Sequence, residues 1–189
     1  MCAQSLAQAG VPQIKTLLSL PGSNAETVVE QMFTDNVVIK PLVGHSGMGV
    51  THATGLSDLL RVLSDQDKPF IIQPYTPTAA GVDLRMLVVG EKVLYALERT
   101  GAVGDFRANI GLGGTGKVVQ ANPGQIRIAL AAARACELDF AGVDLTVDPK
   151  NPQVIEVNTN AGLGSLKLTG DDTALAMARH VQTLVERSS

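Results

Sequence analysis

The 189-residue sequence contains no tryptophan, and its aromatic residues amount to only 3%. A hydrophobic core must therefore be built from valine, leucine, isoleucine and alanine, and aromatic platforms for stacking nucleic-acid bases are not expected. A strong charge of either sign is also lacking, since 15 basic residues stand against 18 acidic ones, for a net charge of −3. The sequence therefore has no overall basic field that would attract nucleic acid or a membrane surface.

Long apolar segments and cysteine motifs are missing as well. No apolar run is long enough to span a membrane, and the first residues lack the charged-then-apolar pattern of an export signal. The two cysteines, Cys2 and Cys136, lie far apart and show no metal-ligand spacing. These absences predict a cytoplasmic protein with two free thiols. The length suits one domain or two small lobes around a cleft.

The sequence does contain strand and helix patterns in which neighbouring strands are linked by short turns. Gly90-Glu91-Lys92 separates two apolar segments, 84–89 and 93–97, as a hairpin turn would. Helical spacing is found over 26–33, 57–63, 125–136 and 172–186. Hairpin-linked strands favour an α+β fold with antiparallel sheets over a doubly wound parallel sheet.

Asp144, Glu156 and Asn158 form the most informative pattern. Asp144 lies in the predicted strand 140–147, and Glu156 and Asn158 stand two residues apart at the end of the next strand. Side chains two apart in a strand share a face, and Asp144 would face the same point if the strands pair. Two carboxylates and an amide oxygen are hard ligands suited to a Mg²⁺ ion that bridges phosphates. The alternative is charge on a solvated strand, although both acids stand in apolar sequence.

Lys40 ends a β-branched segment and is followed by the glycine-rich turn 44–49. A lysine there can reach a phosphate while the backbone N–H groups of the turn cover it. The lysine precedes the glycines and no helix follows directly, so the segment is not a Walker loop. The alternative is a β-hairpin with a flexible connection. His45 in this turn and His180 on the last predicted helix are expected to be exposed.

Three arginines lie near these elements. Arg85 follows Asp83 by two residues, so the two share a face, and Arg99 stands at the other end of the hairpin. Arg107 opens the segment 101–116, which holds six glycines and is too long for a simple turn. The guanidinium fork matches carboxylates and phosphates geometrically. The alternative, ion pairs at the surface, is common and contributes little to stability.

Taken together, these residues resemble the ATP-grasp superfamily and, within it, the RimK-like carboxylate–amine ligases. The matching strings occur in the family's order and cover nearly the whole chain. They are VVIKPLVGHSGMGV (37–50), FIIQPY (70–75), GVDLRMLVVG (81–90), ERTGAVGDFRANIGLGGT (98–115), and AGVDL with VIEVNTNAGL within 141–163.

The resemblance implies an ATP-grasp fold in which two α+β lobes with antiparallel sheets enclose a nucleotide cleft. Residues from about 12 to 73 would form a smaller lobe with a glycine-rich lid, and about 74 to 189 a larger lobe with the metal site. It assigns ATP contacts to Lys40, Gly47, Gln73, Pro74, Tyr75, Asp83, Arg107, Ala108 and Asn109. It assigns the metal to Asp144, Glu156 and Asn158, and reactive phosphate or carboxylate groups to Arg85, Arg99 and Arg107.

The activity implied is ligation that consumes ATP, with Mg²⁺ or alternatively Mn²⁺ as the metal. A small-molecule or peptide carboxylate would become an acyl phosphate, which an amino acid amine, such as that of glutamate, would then displace. A homo-oligomer is compatible with the family, and neither nucleic acid nor membrane is an expected partner. The alternative is a non-catalytic ATP-binding module or an inactive fragment of a larger ligase.

Three departures from the family's pattern bear on this interpretation. Pro74 stands where an acidic residue is usual, so adenine contacts would depend on backbone groups. The segment Asn160-Ala161-Gly162 replaces a common Ser-Pro-Gly. Family members also have a preceding lobe and a further phosphate-binding lysine upstream of Met1. The chain is therefore expected to be one domain of a larger enzyme.

Overall fold

The computed structural model describes residues 2–44, 47–76, 81–161, 166–170 and 172–188. His45 and Gly162 thus lie outside the described residues. The chain divides into two compact units, one formed by residues 14–80 and the other by residues 1–13 with 81–189. They are named here the four-stranded unit and the five-stranded unit. No described helix is long and apolar enough to cross a membrane.

The four-stranded unit packs two helices against one antiparallel sheet. Its strands follow the order β1-β4-β2-β3. Its elements are β1 (Leu17–Ser19), α2 (Ala25–Met32), β2 (Asn36–Pro41), β3 (Thr51–Thr54), α3 (Leu56–Ser64) and β4 (Phe70–Pro74). The Asn24 side chain accepts from the Thr27 N–H and so caps the start of α2. Phe70, Ile72, Ile39 and Leu59 lie in its core with at most 1% exposure.

The five-stranded unit contains the second antiparallel sheet, with the order β7-β6-β5-β8-β9. Its strands are β5 (Val82–Val89), β6 (Lys92–Thr100), β7 (Thr115–Val119), β8 (Phe140–Leu145) and β9 (Val154–Asn158). Its helices are α1 (Cys2–Gln8), α4 (Pro123–Ala135), α5 (Leu166–Thr169) and α6 (Thr173–Ser188). The predicted α+β class with antiparallel sheets is confirmed.

One face of the five-stranded sheet forms a hydrophobic core with α1 and α4. Leu84, Met86 and Val88 of β5 and Val143 of β8 belong to this core, together with Leu6 of α1. Alternation along a strand sends the intervening residues to the opposite face. On β5 and β8 those residues include two aspartates and one arginine. The apolar pattern therefore decides which face of the sheet carries the polar side chains.

The structure refines two sequence expectations about this unit. The segment 101–116, which is too long for a simple turn, contains a short 3₁₀ helix over Ile110–Leu112, and β7 begins at Thr115. His180 is only partly exposed, because its side chain is 20% exposed and its Nε2 donates to Asp139 Oδ1 at 2.9 Å. A Cβ built on Gly90 would lie 2.4 Å from the His180 ring. The absence of a side chain at Gly90 therefore lets α6 approach the hairpin turn.

Candidate functional site

A row of charged and amide side chains crosses one face of the five-stranded sheet. It is named here the polar row and consists of Arg99, Asp83, Arg85, Asp144, Glu156 and Asn158. Strand register explains why they meet, since Asp83 pairs with Arg99, Arg85 with Asp144, and Asp144 with Glu156. Six residues from four neighbouring strands are thereby lined up side by side, opposite the face that packs on α4.

Arg85 and Asp144 form the centre of the polar row. The guanidinium donates to both carboxylate oxygens, through Nε to Oδ1 and through Nη2 to Oδ2 at 2.7 Å. The Arg85 side chain is 16% exposed and that of Asp144 only 2%. The surface ion pair considered for Arg85 is therefore wrong, because the pair is buried in the sheet face.

Arg99 links two carboxylates of the polar row. Its Nε donates to Asp83 Oδ1 at 2.7 Å, and its Nη2 contacts both Asp83 Oδ2 and, at 2.9 Å, Asp144 Oδ2. Asp83 is buried, and its two oxygens are both engaged by Arg99. In this structure Asp83 orients Arg99, and its contact with a ribose remains a prediction.

The two buried carboxyls of the row differ in their proton affinity. Burial raises the pKa of Asp83 to about 7, with the negative charge of Asp144 adding to the effect and Arg99 opposing it. Burial would also raise the pKa of Asp144, but the charges and hydrogen bonds of Arg85 and Arg99 outweigh it and lower that pKa. Asp144 therefore carries the negative charge that holds the two guanidinium groups together.

Asp144, Glu156 and Asn158 come together as strand alternation predicts. The Asn158 amide Nδ2 lies 2.9 Å from Glu156 Oε1 and 3.4 Å from Asp144 Oδ2. A half-turn of the amide exchanges its nitrogen for its oxygen and would bring three oxygens together. Neighbouring oxygens around Mg²⁺ are roughly 3 Å apart, so the donor set fits this ion. Among the described residues no group of three His, Cys, Asp or Glu side chains could hold a metal ion, so the predicted donor set depends on the Asn158 amide as its third member.

Gly142 is a site residue that the sequence reasoning missed. It pairs with Asn158, two residues before Asp144 on the same face of β8. A Cβ built there would lie 3.2 Å from Arg85 Cδ and 2.9 Å from Ala161 Cβ. Gly142 thus leaves the space that the Arg85 side chain occupies. A glycine inside a buried strand was the available indication of such a close approach.

The glycine-rich segment after β6 positions Arg107, Ala108 and Asn109. Asp105 accepts from the Arg107 guanidinium, with Nη2 at 2.7 Å, and from its backbone N–H at 2.9 Å. These bonds lower the pKa of Asp105 to about 2. The Asn109 side chain accepts from the Gly111 N–H and caps the 3₁₀ helix. The segment is therefore an ordered loop in which Arg107 is partly exposed and held in place.

The predicted nucleotide residues of the four-stranded unit lie on β2, on β4 and in the turn after β2. Lys40 is half-buried on β2 and pairs with Ile71 of β4. Gly47 and Gly49 both have φ of +73°, and a Cβ on Gly49 would lie 2.8 Å from Pro41 Cγ. The turn therefore depends on glycine at both positions. β2 and β3 form an antiparallel hairpin. A hairpin is expected whether the turn binds a phosphate or is only a flexible connection, so it does not distinguish the two interpretations.

Gln73, Pro74 and Tyr75 stand at the end of β4. Gln73 is buried and its Nε2 donates to Thr16 Oγ1 at 3.0 Å. The Tyr75 N–H donates to the Asn36 carbonyl, and its ring lies 4.0 Å from the ring of His52. An aromatic pair thus lies beside the segment predicted to contact adenine, in a chain with very few aromatic residues.

Comparisons with known proteins identify relatives of this chain. A probable alpha-L-glutamate ligase of Xanthomonas euvesicatoria pv. vesicatoria (strain 85-10) is 34% identical over 98% of this chain and 64% of its own length. A ribosomal protein bS6–L-glutamate ligase of Escherichia coli O81 (strain ED1a) is 33% identical over 95% of the chain and 61% of its own length. The chain thus spans less than two thirds of these relatives.

Solved structures share the fold. The D-cycloserine synthetase DcsG superposes with a TM-score of 0.73 at 22% identity, covering 98% of this chain and 68% of that one. The ATP-grasp ligase PsnB, solved with a phosphomimetic variant of its minimal precursor, Mg and ADP, gives 0.71 at 19% identity, covering 95% of this chain and 56% of that one. The family profile described as the RimK-like ATP-grasp domain matches residues 1–181. This match and the identity to the relatives show that the chain belongs to the RimK-like ATP-grasp domain family.

Proposed function

We propose that this chain is the ATP-grasp domain of a ligase that converts a carboxylate to an acyl phosphate with ATP and joins it to an amine. The observation that carries the proposal is the convergence of Asp144, Glu156 and Asn158 beside two buried arginines. A site of that kind suits the transfer of a phosphoryl group, where negative charge must be neutralised on both reactants. ATP is the proposed nucleotide, and Mg²⁺ or Mn²⁺ the proposed metal.

Asp144, Glu156 and Asn158 would hold the metal. When bound, the ion would neutralise phosphate oxygens of ATP and orient the γ-phosphoryl group. Glu156 is the most exposed of the three side chains on β9 and β8, so it is the most accessible ligand. Asp144 accepts hydrogen bonds from both Arg85 and Arg99. As a metal ligand it would therefore set the distance between the metal and the two guanidinium groups.

Arg85 and Arg99 would stabilise negative charge on the carboxylate substrate or on the acyl phosphate. Each guanidinium carries five N–H donors, and the bonds from Arg85 to Asp144 leave its Nη1 unused. Buried pairing with Asp144 and Asp83 keeps both groups oriented before a substrate arrives. Arg107, held by Asp105 in a partly exposed loop, would contact a phosphate of the nucleotide together with Ala108 and Asn109.

Most of the remaining proposed nucleotide contacts are residues of the four-stranded unit. Lys40 would donate to an ATP phosphate, and Gly47 would bring backbone N–H groups close to the same region. Gln73, Pro74 and Tyr75 would lie against adenine, and Asp83 of the other unit would accept from the ribose. Because Pro74 has no N–H and no acidic side chain, recognition of adenine at this position would use its carbonyl group.

An amino acid of the glutamate type is the proposed amine, and the carboxylate is a small molecule or a peptide. The support is that one relative is named a probable alpha-L-glutamate ligase and another a ribosomal protein bS6–L-glutamate ligase. A homo-oligomer in the cytoplasm is the proposed state. The alternative is an ATP-binding module without catalysis. It is supported by the two guanidinium groups that already bind Asp144, because Arg85 or Arg99 would have to move before Asp144 could bind a metal.

The test is ADP release by the 189-residue chain at saturating ATP, with Mg²⁺ and with excess EDTA, using glutamate and a panel of peptide carboxylates. Glutamate- and Mg²⁺-dependent release is the expected result. Glu156→Ala should abolish it while leaving the circular dichroism spectrum unchanged. Glu91→Ala is the matched control, because Glu91 is exposed on the hairpin turn of the same sheet.

The outcomes separate the two functions. A magnesium-dependent rise in melting temperature with ATP, but no turnover with any substrate pair, would favour the binding module. Turnover by Glu156→Ala equal to that of the unsubstituted chain would contradict the metal assignment.

A further inference from the structure

The two cysteines, 134 positions apart in the sequence, are neighbours in the five-stranded unit. The Cys136 thiol donates to Cys2 Sγ with the two sulfurs 3.7 Å apart. Cys2 begins α1, and Cys136 directly follows α4, where its N–H caps the end of the helix. Both are free thiols and both are partly exposed. The fold therefore creates a dithiol that sequence spacing did not indicate.

Both thiols line a cavity of about 210 Å³ that also contacts Ser5, Leu138, Val157 and Thr159. Val157 lies between Glu156 and Asn158 on β9, so its side chain is on the opposite face of the sheet from the polar row. The cavity gives a small reagent access to the sulfurs. Chemistry at the thiols would thus take place away from the proposed ligase site.

We propose that Cys2 and Cys136 form a redox-active dithiol that low-molecular-weight disulfides, such as glutathione disulfide, convert to an intramolecular disulfide. A disulfide requires the sulfurs to approach to about 2.05 Å, so each must move by less than an ångström from the present separation. The proposal does not depend on the ligase function.

The two thiols would react in sequence. In the proposed order Cys2, at the first turn of α1, attacks the external disulfide and Cys136, 3.7 Å away, attacks second. Burial, together with the neighbouring Cys2, raises the pKa of Cys136 to about 12. Cys136 is therefore the proposed resolving thiol, which attacks second.

The exchange is balanced in two steps. The Cys2 thiolate attacks one sulfur of the external disulfide and releases the first small thiolate, which takes a proton. Cys136 then loses its proton, attacks Cys2 Sγ, breaks the mixed disulfide and releases the second small thiolate, which takes that proton. Two protein thiols are oxidised, and one external disulfide is reduced to two thiols.

The bond would fix α1 to the end of α4. In the described structure α1 is held by buried Leu6 and by the Gln13 side chain, which donates to the Ala3 carbonyl at 2.8 Å. The disulfide would close a loop that contains the whole four-stranded unit and would restrict the unfolded chain. Slower amide exchange in α1 and a melting temperature higher by about 5 °C or more are the expected consequences.

The experiment incubates the purified 189-residue chain with glutathione disulfide and analyses it without reductant by mass spectrometry. The expected product is a monomer whose mass is lower by two hydrogens. Residues 2 and 136 should then be found in one cross-linked peptide. Hydrogen exchange is then followed in α1 before and after addition of dithiothreitol.

Cys2→Ser and Cys136→Ser are the matched variants, with Cys2→Ala and Cys136→Ala in case a serine disturbs folding. Each keeps one thiol, so each is expected to accumulate a stable glutathione adduct and to show no change in α1 exchange. The proposal would be overturned by two glutathione adducts on the unsubstituted chain, by disulfide-linked dimers, or by no reaction under conditions that modify the urea-unfolded chain.

Discussion

Arg85 on β5 and Asp144 on β8 are register partners, and the guanidinium donates to both oxygens of the carboxylate. The two residues are 59 positions apart in the sequence, and both side chains are largely removed from solvent. Removing one member of such a pair leaves a buried charge without its counter-charge. The centre of the polar row is therefore where single substitutions should affect stability most.

Arg85→Met is expected to lower the free energy of unfolding by about 3 kcal/mol, because Asp144 loses its main counter-charge in a buried position. Urea denaturation followed by circular dichroism measures the change. Arg61→Met is the control, since Arg61 pairs with Asp58 at the surface with a side chain 64% exposed. The control should change stability by no more than about 0.5 kcal/mol. Equal effects of the two substitutions would argue against a buried pair.

Gly142→Ala is expected to displace Arg85 without removing any charge. The new Cβ would lie 2.9 Å from Ala161 Cβ and 3.2 Å from Arg85 Cδ, so one neighbour must move. A stability loss of about 1–3 kcal/mol is the usual cost of such overpacking. Gly44→Ala provides the comparison, because its Cβ would have no neighbour closer than 3.7 Å. A crystal structure or NMR spectrum with an unmoved Arg85 would count against the positioning role of Gly142.

Lys40→Met is expected to weaken ATP binding about tenfold or more, the usual effect of losing one hydrogen bond to a charged phosphate. Isothermal titration calorimetry with a non-hydrolysable ATP analogue and Mg²⁺ measures the dissociation constant. Lys150→Met should leave that constant unchanged, because Lys150 is exposed in the turn between β8 and β9. Unaltered binding by the Lys40 variant would remove this residue from the nucleotide site.

The Asp105 carboxyl should titrate at about pH 2 in the folded chain, because Arg107 bonds to its ionised form. Its folded pKa lies below its unfolded value, so its contribution to stability is present above about pH 4 and is lost as pH falls towards 2. Carbon-13 NMR of the carboxyl group follows the titration. Arg107→Gln should move the midpoint upwards, whereas Lys117→Gln on exposed β7 should not. A midpoint indifferent to Arg107 would refute the ion pair.

Local patterns in the sequence predicted much of the fold. The β5–β6 hairpin and the α4 helix follow from an apolar alternation and an alanine-rich helical spacing, and both are observed. β7 was missed because it is a largely exposed edge strand that contains Gly116 and does not alternate cleanly. β1 was missed because three residues are too short for a period to be recognised.

Local sequence patterns also predicted part of the candidate site. Strand alternation sufficed to place Glu156 and Asn158 on one face, and the short turn between β8 and β9 sufficed to bring Asp144 opposite them. The partners of Arg85 and Arg99 could not be predicted. β5 lies between β6 and β8 in the sheet, and only that order sets Asp144 beside both arginines.

By itself, the sequence determined which side chains share a face of each strand, because the backbone period is local and independent of the rest of the chain. It also carried the motifs by which the family is recognised. Only the tertiary structure decided which faces meet. The order of strands in a sheet and the packing of helices on it depend on hydrogen bonding and apolar burial between distant segments. That is why the ion pairs of Asp144 and the neighbouring thiols of Cys2 and Cys136 became visible in the folded chain alone.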